Sequence, residues 1–221
     1  TVLASGNPSI NEKLVSGPYE VGGIAPMGAA YLFVKDRTID TVGELSGKSI
    51  AVLEYDSAQA SMASRVGMSP VMSDITNFSG RFNNGSVDIC FAPIAAYSAL
   101  ELYKGMQPDG GMIDYVLGQL TAQVILKKDR FPDGFADSSR KYMLGQFDRA
   151  MTVIENANNE VDKKWWIRIP EADKLRYDEM MREARIALTN DGVYSKDMMS
   201  LLRKVRCKEE PSRAECVNPV E

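Results

Sequence analysis

Short apolar runs alternate with polar, glycine-marked turns through the middle of the chain. Buried strands are predicted at 49–54, 69–74 and 87–93, because each is a short run of mainly apolar residues. Helices are predicted between them, over 57–66 and from Asn77 to Gly85. Strands that alternate with helices form parallel sheets covered by helices, so this part of the chain is predicted to be an α/β unit with a parallel-sheet core.

The ends of these two helices carry recognisable signals. Ser57 is predicted as the N-cap of the first helix and Asn77 as that of the second, because both residue types accept hydrogen bonds from free N–H groups at helix starts. Gly67 is predicted to stop the first helix.

Two similar extended segments flank the α/β unit. The sequence LFVKD at 32–36 is echoed by VILKKD at 124–129. The first segment ends a glycine-rich apolar run whose strand signal is strongest at Tyr31–Val34, and the second ends a strand-like run over 115–129. We expect a pair of strands that enter and leave one lobe.

Beyond residue 137 the hydrophobic period becomes that of helices. A single long helix is predicted over 137–161. Its apolar stripe consists of Met143, Phe147, Ala150, Met151, Ile154, Ala157 and Val161. A second helix is predicted to open at Pro170, and a third to be capped by Ser195 and Asp197. The methionine-rich stripes of these helices are predicted to face the core.

Composition and charge narrow the classes of function. The chain has 221 residues, of which 44% are hydrophobic and 25% charged, and its formal net charge is −4. Negative charge argues against a dominant nucleic-acid or anionic-membrane surface. The longest apolar run is far shorter than the roughly 20 residues of a membrane span. We therefore expect no nucleic-acid partner and no membrane-embedded segment in this sequence.

The residues needed for several common chemistries are missing from the sequence. Histidine is absent, which excludes histidine-based triads and histidine metal sites. The GxGxxG, GxxxxGK[ST], GxSxG and HExxH motifs are absent as well. A nucleophilic Cys90 would lack a histidine base and lies within a predicted strand. No catalytic residue, cofactor or metal is therefore predicted.

The three cysteines carry information about the compartment. Cys207 and Cys216 bracket a short polar loop, CKEEPSRAEC. A disulfide between them is typical of an oxidising compartment, and the alternative is two unpaired surface thiols in a cytosolic protein. Cys90 lies in the apolar run VDICFAP and is predicted to be a buried thiol.

Polar side chains follow the predicted strands of the α/β unit at the points where the strands end. In such sheets, ligands bind beyond the carboxyl ends of the strands, next to helix N-termini. We therefore predict a ligand cleft along this rim. Its candidate residues are Glu54, Tyr55, Asp56, Ser57, Asn77 and Pro93. The alternative for each of the polar ones is a local role as a helix cap or a solvated loop group.

Several longer stretches resemble a known family. ELSGKSIAVLEYDSAQA and RFNNGSVDICFAPIAAYSALELY resemble the second lobe of type II periplasmic solute-binding proteins, in which a Leu-x-Gly-Lys strand opener precedes a helix and a Gly-x-Val-Asp strand. The segment 137–161 and PEADKLRYDEMMREARIAL resemble the C-terminal helices of TRAP-transporter binding subunits. SGPYEVGGIAPMGAAYLFVKD, SDITNFSGRFNNGSVDI and LLRKVRCKEEPSRAEC are similar to a group of proteobacterial proteins described as solute-binding proteins.

The resemblance implies a periplasmic-binding-protein-like fold of type II with long C-terminal helices. Residues 1–36 are then expected to be a remnant of the first lobe with a hinge strand, and 37–118 the α/β second lobe. Residues 119–136 are expected to form the return hinge strand, and 137–221 the helices that brace both lobes. Roughly the first third of the family's chains, which forms most of the first lobe, is expected to be missing.

Closure of two lobes about a hinge is how such proteins bury a ligand. The expected hinge is the pair of strands that end at Val34 and Leu126. The hinge residues expected to face the cleft are Tyr31, Gln119, Thr121 and Gln123. Strand alternation places the last three on one face, although a solvated polar face is the alternative.

One position departs from the resemblance. TRAP subunits carry an arginine on the strand after the Gly-Lys opener, where it clamps a substrate carboxylate through paired N–H donors. Ala51 occupies that position here, with Glu54 and Asp56 nearby in the sequence. An amine-bearing or neutral polar ligand is therefore as well supported as a carboxylate.

The resemblance implies a periplasmic protein that captures a small polar metabolite for the subunits of a membrane transporter, without catalysis. Three alternatives stay open on the sequence alone, because a fold does not fix a function. The first is the effector-binding domain of a cytoplasmic regulator, and the second is a hydrolase or isomerase that uses Glu54, Tyr55 and Asp56. The third is an envelope scaffold protein with a vestigial cleft.

Overall fold

The computed structural model describes residue 10 and residues 12–220, which divide into two units. Unit 1 comprises the described residues of Thr1–Tyr31, together with Ala92–Leu100 and Gly118–Lys163. Unit 2 comprises Leu32–Phe91, Glu101–Leu117 and the described residues of Lys164–Glu221. Residues 1–9 and 11 of the predicted first-lobe segment lie outside the described part, and the assignment of lobes stays a prediction.

The elements are numbered here in chain order. The strands in the described part are β1 (Val15–Ser16), β2 (Tyr19–Val34), β3 (Ser49–Leu53), β4 (Ser69–Ser73), β5 (Ile89–Pro93), β6 (Gly111–Ile113), β7 (Gly118–Lys127) and β8 (Trp166–Ile167). The α-helices there are α1 (Ser57–Arg65), α2 (Phe78–Asn83), α3 (Ala96–Ala99), α4 (Tyr103–Met106), α5 (Phe135–Gly145), α6 (Phe147–Asn159), α7 (Glu171–Asn190), α8 (Lys196–Glu209) and α9 (Ala214–Val217). Short 3-10 turns lie at Glu12–Leu14, Gly43–Leu45, Lys128–Arg130 and Lys163–Trp165.

A long antiparallel ribbon forms the frame of unit 1. Strand β2 pairs with β7 from Tyr19 opposite Lys127 to Ala30 opposite Gly118, and β1 pairs with the start of β2. The ribbon is irregular between Val21 and Gly23 and again between Pro26 and Gly28. Such bulges bend a strand and increase its twist.

Helix α5 packs closely on β2 because the strand carries glycine where the helix approaches. A Cβ atom on Gly23 would clash with Cγ of Met143 on α5. The buried guanidinium of Arg140, on the same helix, donates to the backbone oxygen of Val21 at 2.8 Å. The helix is therefore attached to the strand by apolar packing and by a charge-assisted hydrogen bond.

Unit 2 is built on the predicted parallel core. Strand β3 pairs in parallel with β4 and with β5, and β6 pairs in parallel with β8. The order of strands is β4-β3-β5-β2-β6-β8, in which the last three residues of β2 belong to this unit and pair antiparallel with β6. The buried core of this unit includes Ile50 and Val52 on β3, Ile89 on β5 and Tyr177 on α7. The α/β fold predicted from the alternating pattern is confirmed.

Two helical predictions were wrong. The single helix expected over 137–161 consists of α5 and α6, which meet at Gln146. Gly145 immediately precedes the break, and glycine is the weakest helix former after proline. The apolar stripe expected to be core is not buried on α6, where no residue is fully covered.

Candidate ligand-binding site

A cavity of about 430 Å³ lies within unit 1. Its volume falls in the range of small-molecule sites, which are mostly apolar with a few polar groups that fix orientation. The lining residues are Pro26, Gly28, Ala29, Tyr31, Ile94, Gln119, Met151, Ile154, Glu155 and Asn158. These residues have the composition of a small-molecule site, with six apolar or glycine positions and four polar side chains.

One wall of the cavity is the β2–β7 ribbon. Ala29 on β2 lies opposite Gln119 on β7, and Tyr31 follows two residues further along the same strand. Ile94 is held against this wall because its N–H group donates to the oxygen of Ala29 at 2.9 Å. The second irregularity of the ribbon, between Pro26 and Gly28, lies within this wall.

The opposite wall is helix α6. Met151, Ile154, Glu155 and Asn158 follow the spacing at which helical side chains share one face. Ile154 lies directly above Gly28, whose φ of +90° suits glycine. The helix can therefore approach the strand closely at one end of the cavity.

Two of the four hinge residues predicted to face the cleft line this cavity, and the other two do not. Tyr31 and Gln119 both line the cavity, and Tyr31 is buried. Thr121 and Gln123 are exposed on β7, opposite Pro26 and Ile24, and are not part of the lining. Pro93 ends β5 immediately before the lining residue Ile94.

The polar strand ends predicted as a cleft rim lie in unit 2, apart from Pro93. Strands β3 and β4 end side by side, since the N–H group of Glu54 donates to the oxygen of Ser73 at 2.9 Å. The two polar loops therefore start from neighbouring positions. Glu54 is exposed, and Tyr55 is exposed over 69% of its surface.

The N-cap of α1 is Asp56, so the prediction that Ser57 caps this helix was wrong. The carboxylate of Asp56 accepts from the N–H group of Gln59 at 2.9 Å. Ser57 is the first residue inside the helix and is exposed. Aspartate and serine are equally good caps, so adjacent candidates cannot be separated by residue type.

Asn77 is engaged in a local network at the start of α2. Its amide donates to the carboxylate of Asp74 at 2.5 Å, and its oxygen accepts from the N–H group of Asp74 at 3.1 Å. It occupies the predicted N-cap position, but its side chain does not bond to the helix N–H groups. Hydrogen bonds from Thr76, first from its hydroxyl and then from its backbone, keep the pKa of Asp74 below its ordinary value.

Four lining residues on α6 were not among the predicted site residues. Met151 and Ile154 were assigned to a core stripe, yet Met151 is 43% exposed. Glu155 and Asn158 lie one turn apart, on the polar side of that stripe. The sequence does show Glu155 and Asn158 three residues apart beside apolar positions. The same pattern is found on helix faces that only contact solvent, so it does not indicate a binding site.

The cysteine predictions are supported by the structure. Cys207 and Cys216 form a disulfide whose Cα atoms are 5.6 Å apart. Cys90 is a buried free thiol, and burial raises its pKa to about 12. The thiolate that a nucleophile needs is therefore suppressed.

Residues 10 and 12–220 contain neither a metal-binding cluster nor a membrane-spanning helix. Groups of three or more cysteine, aspartate or glutamate side chains arranged to hold a metal ion do not occur there. Among the helices of the same region, none combines the length and apolar character needed to cross a membrane.

Comparison with known families decides what kind of protein this is. The family model described as "Solute-binding protein AdeT 1/2" matches residues 1–221. The chain belongs to the AdeT 1/2 solute-binding protein family. It is 43% identical over 210 residues to "Probable solute-binding protein AdeT1" of Acinetobacter baumannii, covering 95% of this chain and 69% of that protein.

Solved structures similar to this AdeT family member are TRAP periplasmic solute-binding proteins. One, from Desulfovibrio salexigens with bound orotic acid, has a TM-score of 0.76 at 16% identity and covers 91% of this chain and 68% of its own. Another, from Haemophilus influenzae with bound L-gulonate, has a TM-score of 0.74 at 12% identity and covers 92% and 68%. These likenesses confirm the fold predicted from the sequence.

The family membership also confirms the predicted class of function. AdeT 1/2 proteins are solute-binding proteins rather than enzymes, so the non-catalytic interpretation is supported over the hydrolase or isomerase alternative. The regulatory and scaffold alternatives receive no support from these matches.

Proposed function

We propose that this protein captures a small polar metabolite in the periplasm and presents it to the subunits of a membrane transporter. The observation that carries the proposal is the cavity of about 430 Å³ between β2 and α6, in a chain of the AdeT solute-binding family. The Cys207–Cys216 disulfide supports an oxidising compartment. The periplasmic TRAP neighbours support the same location and the partnership with a transporter.

The ligand is proposed to rest against the β2–β7 wall and to be held from the other side by α6. Tyr31 and Gln119 offer polar groups on the strands, and Asn158 offers an amide on the helix. Ile94 and Ile154 supply apolar surface, which contributes about 25 cal/mol for each Å² removed from water.

The polar loops of unit 2 remain predicted ligand residues. Glu54, Tyr55 and Ser57 have exposed side chains in the loop after β3 and at the start of α1. Asp56 and Asn77 already serve as a helix cap and as a partner of Asp74, so a role in binding would have to be shared with these contacts.

Native mass spectrometry of protein purified gently from its source tests the proposal, because tightly held ligands remain bound. A thermal-shift screen of small polar metabolites gives the second readout. A ligand at about 100 times its dissociation constant stabilises the folded state by about 2.7 kcal/mol.

A matched pair of variants on α6 assigns any binding to the cavity. Met151→Trp fills the cavity from the helix side and is expected to abolish the ligand-induced stabilisation. Val153→Trp places the same side chain on the same helix at an exposed position outside the lining, and it is expected to bind normally. Equal binding by both variants would remove the cavity from the proposal.

A further inference from the structure

The cavity has an unbalanced charge. Glu155 is the acidic residue among its lining positions, and lysine and arginine do not occur among them in the described residues. The remaining polar lining groups, on Tyr31, Gln119 and Asn158, are neutral at pH 7. A bound ligand therefore meets one negative charge from the walls and no positive one.

No basic residue on α6 lies next to Glu155 to balance the charge of its carboxylate. Residues three and four positions away are its neighbours on a helix surface, and here they are Met151, Thr152, Asn158 and Asn159, all of them uncharged. Among the described residues, none forms an ion pair or a side-chain hydrogen bond with the Glu155 carboxylate. The nearby Glu160 differs in this respect, because its carboxylate accepts from the hydroxyl of Ser98 at 2.5 Å.

The residues that line the cavity limit which ligands can bind next to this carboxylate. Pro26, Ile94, Met151 and Ile154 make most of the walls apolar, so the part of a ligand that faces them is expected to be apolar. Gln119 on the facing strand provides an amide that can accept or donate. These walls fit an organic cation with a single charged group better than a polyol or a multiply charged ion.

We propose that the cavity selects an organic ammonium ion, with the ligand's N–H groups donating to the Glu155 carboxylate and its apolar body between Ile94 and Ile154. The inference rests on the proposed function and names the class of ligand for it. It sets this protein apart from the TRAP neighbours whose bound ligands, orotic acid and L-gulonate, are acids.

Isothermal titration calorimetry with probes of one skeleton and three charges tests the proposal. One series is phenethylamine, 2-phenylethanol and 3-phenylpropanoate, and the other is butylamine, butanol and pentanoate. The amine of a series is expected to bind at least about tenfold more tightly than its alcohol, which corresponds to about 1.4 kcal/mol, and the carboxylate to bind most weakly.

Three variants separate recognition by charge from a general effect on the fold. Glu155→Gln keeps the size of the side chain and is expected to remove the preference for amines over alcohols. Glu155→Lys is expected to reverse the order, so that the carboxylates bind more tightly than the amines. Asp133→Asn makes the same change of net charge as Glu155→Gln, at an exposed position in unit 1 outside the lining, and is expected to leave the wild-type order unchanged.

The outcomes distinguish this inference from the proposed function. If alcohols or carboxylates bind as well as amines and Met151→Trp blocks them, the ammonium inference is overturned while the solute-binding cavity stands. If the amine preference survives in Glu155→Gln, Glu155 is not the selecting group and the inference is also overturned. If nothing in the series binds, no ligand copurifies and no metabolite in the thermal-shift screen stabilises the protein, both are overturned.

Discussion

A Cβ atom on Gly28 would lie 2.9 Å from Cγ2 of Ile154 and 3.4 Å from Cγ2 of Ile94, so β2 has no room for a side chain beside these two apolar residues of the cavity. The residue also has a φ of +90°, where a side chain is strained. Gly28→Ala is expected to lower the free energy of unfolding by about 1–3 kcal/mol and to weaken ligand binding, because α6 must move away from the strand. Urea denaturation and a binding titration measure the two effects.

Gly118→Ala is the control for this change. Gly118 lies on the partner strand β7, and a Cβ atom added there would have no neighbour within 4 Å. Stability and binding are expected to stay within about 0.5 kcal/mol of wild type, as is usual for changes away from tight contacts. Equal losses from both variants would contradict the close approach of α6.

The buried Arg140 is expected to be a main attachment of α5 to the ribbon. Besides the bond to the oxygen of Val21, its guanidinium lies 3.8 Å from the carboxylate of Glu20 and contacts that of Asp137. Arg140→Met removes these partners and is expected to lower the free energy of unfolding by about 2–4 kcal/mol. Lys141→Met, at the exposed next position, is the control and is expected to have little effect in thermal unfolding.

Some elements of the fold could be predicted because they are determined by residues close together in the sequence. Strand β3 was predicted within one residue because Ile50, Ala51 and Val52 form an uninterrupted buried run. Gly67, with a φ of +77°, ends α1 as expected. These features depend on residues adjacent in the sequence, so the sequence alone carries the information.

Strand β2 could not be predicted at its full length, because its determinants are far away in the chain. Pro26 and the glycines within it read as strand breakers, yet the strand continues from Tyr19 to Val34. Gly23 is tolerated because Met143 fills the space beside it, and Gly28 because Ile154 does. These helix residues are distant in the sequence, so only the folded structure shows that they occupy the space beside the two glycines.

The same reason explains the partial prediction of the candidate site. Tyr31 and Gln119 were named from the expected hinge and lie at the cavity. Glu155 was not, because an exposed acid on an amphipathic helix has the same appearance in sequence whether it faces solvent or a ligand. The polar loops of unit 2 stay a prediction as ligand residues.

Stability is expected to depend on pH through Glu215. This residue is 3% exposed, and its carboxylate accepts from Arg185 at 2.5 Å and from Arg206 at 2.6 Å. Burial alone would raise its pKa, but the hydrogen bond from Arg206 and the charges of Arg185, Arg206 and Arg213 outweigh burial and leave the pKa below its ordinary value. Its stabilising effect is therefore complete above the unfolded-state value of about 4.3 and is lost as the pH falls through the lower folded-state pKa.

Glu215→Gln tests this dependence. The variant is expected to be about 2–4 kcal/mol less stable than wild type at pH 7, and the difference is expected to shrink below about pH 4 as the wild-type carboxylate gains its proton. Glu183→Gln, at an exposed position on α7, is the control. A difference that stays constant from pH 7 to pH 3 would contradict the ion-pair account.

Thiol titration tests both the disulfide and the buried cysteine. Because Cys207 and Cys216 are paired and burial raises the pKa of Cys90 to about 12, the native protein is expected to react with no equivalent of a thiol reagent such as DTNB at pH 8. In guanidinium chloride without reductant, one thiol per chain is expected to react. Two or three reactive thiols in the native protein would refute the pairing and the oxidising location that it supports.

The central claim is that ligand binds in the cavity between β2 and α6, and a crystal structure of the ligand-bound protein tests it most directly. The ligand would be the small molecule that copurifies or that stabilises the protein most in the screen. The account predicts electron density for it between Gln119 and Ile154, with a cationic nitrogen within about 3.2 Å of the Glu155 carboxylate. Density at any other place, with this cavity holding only solvent, would contradict it.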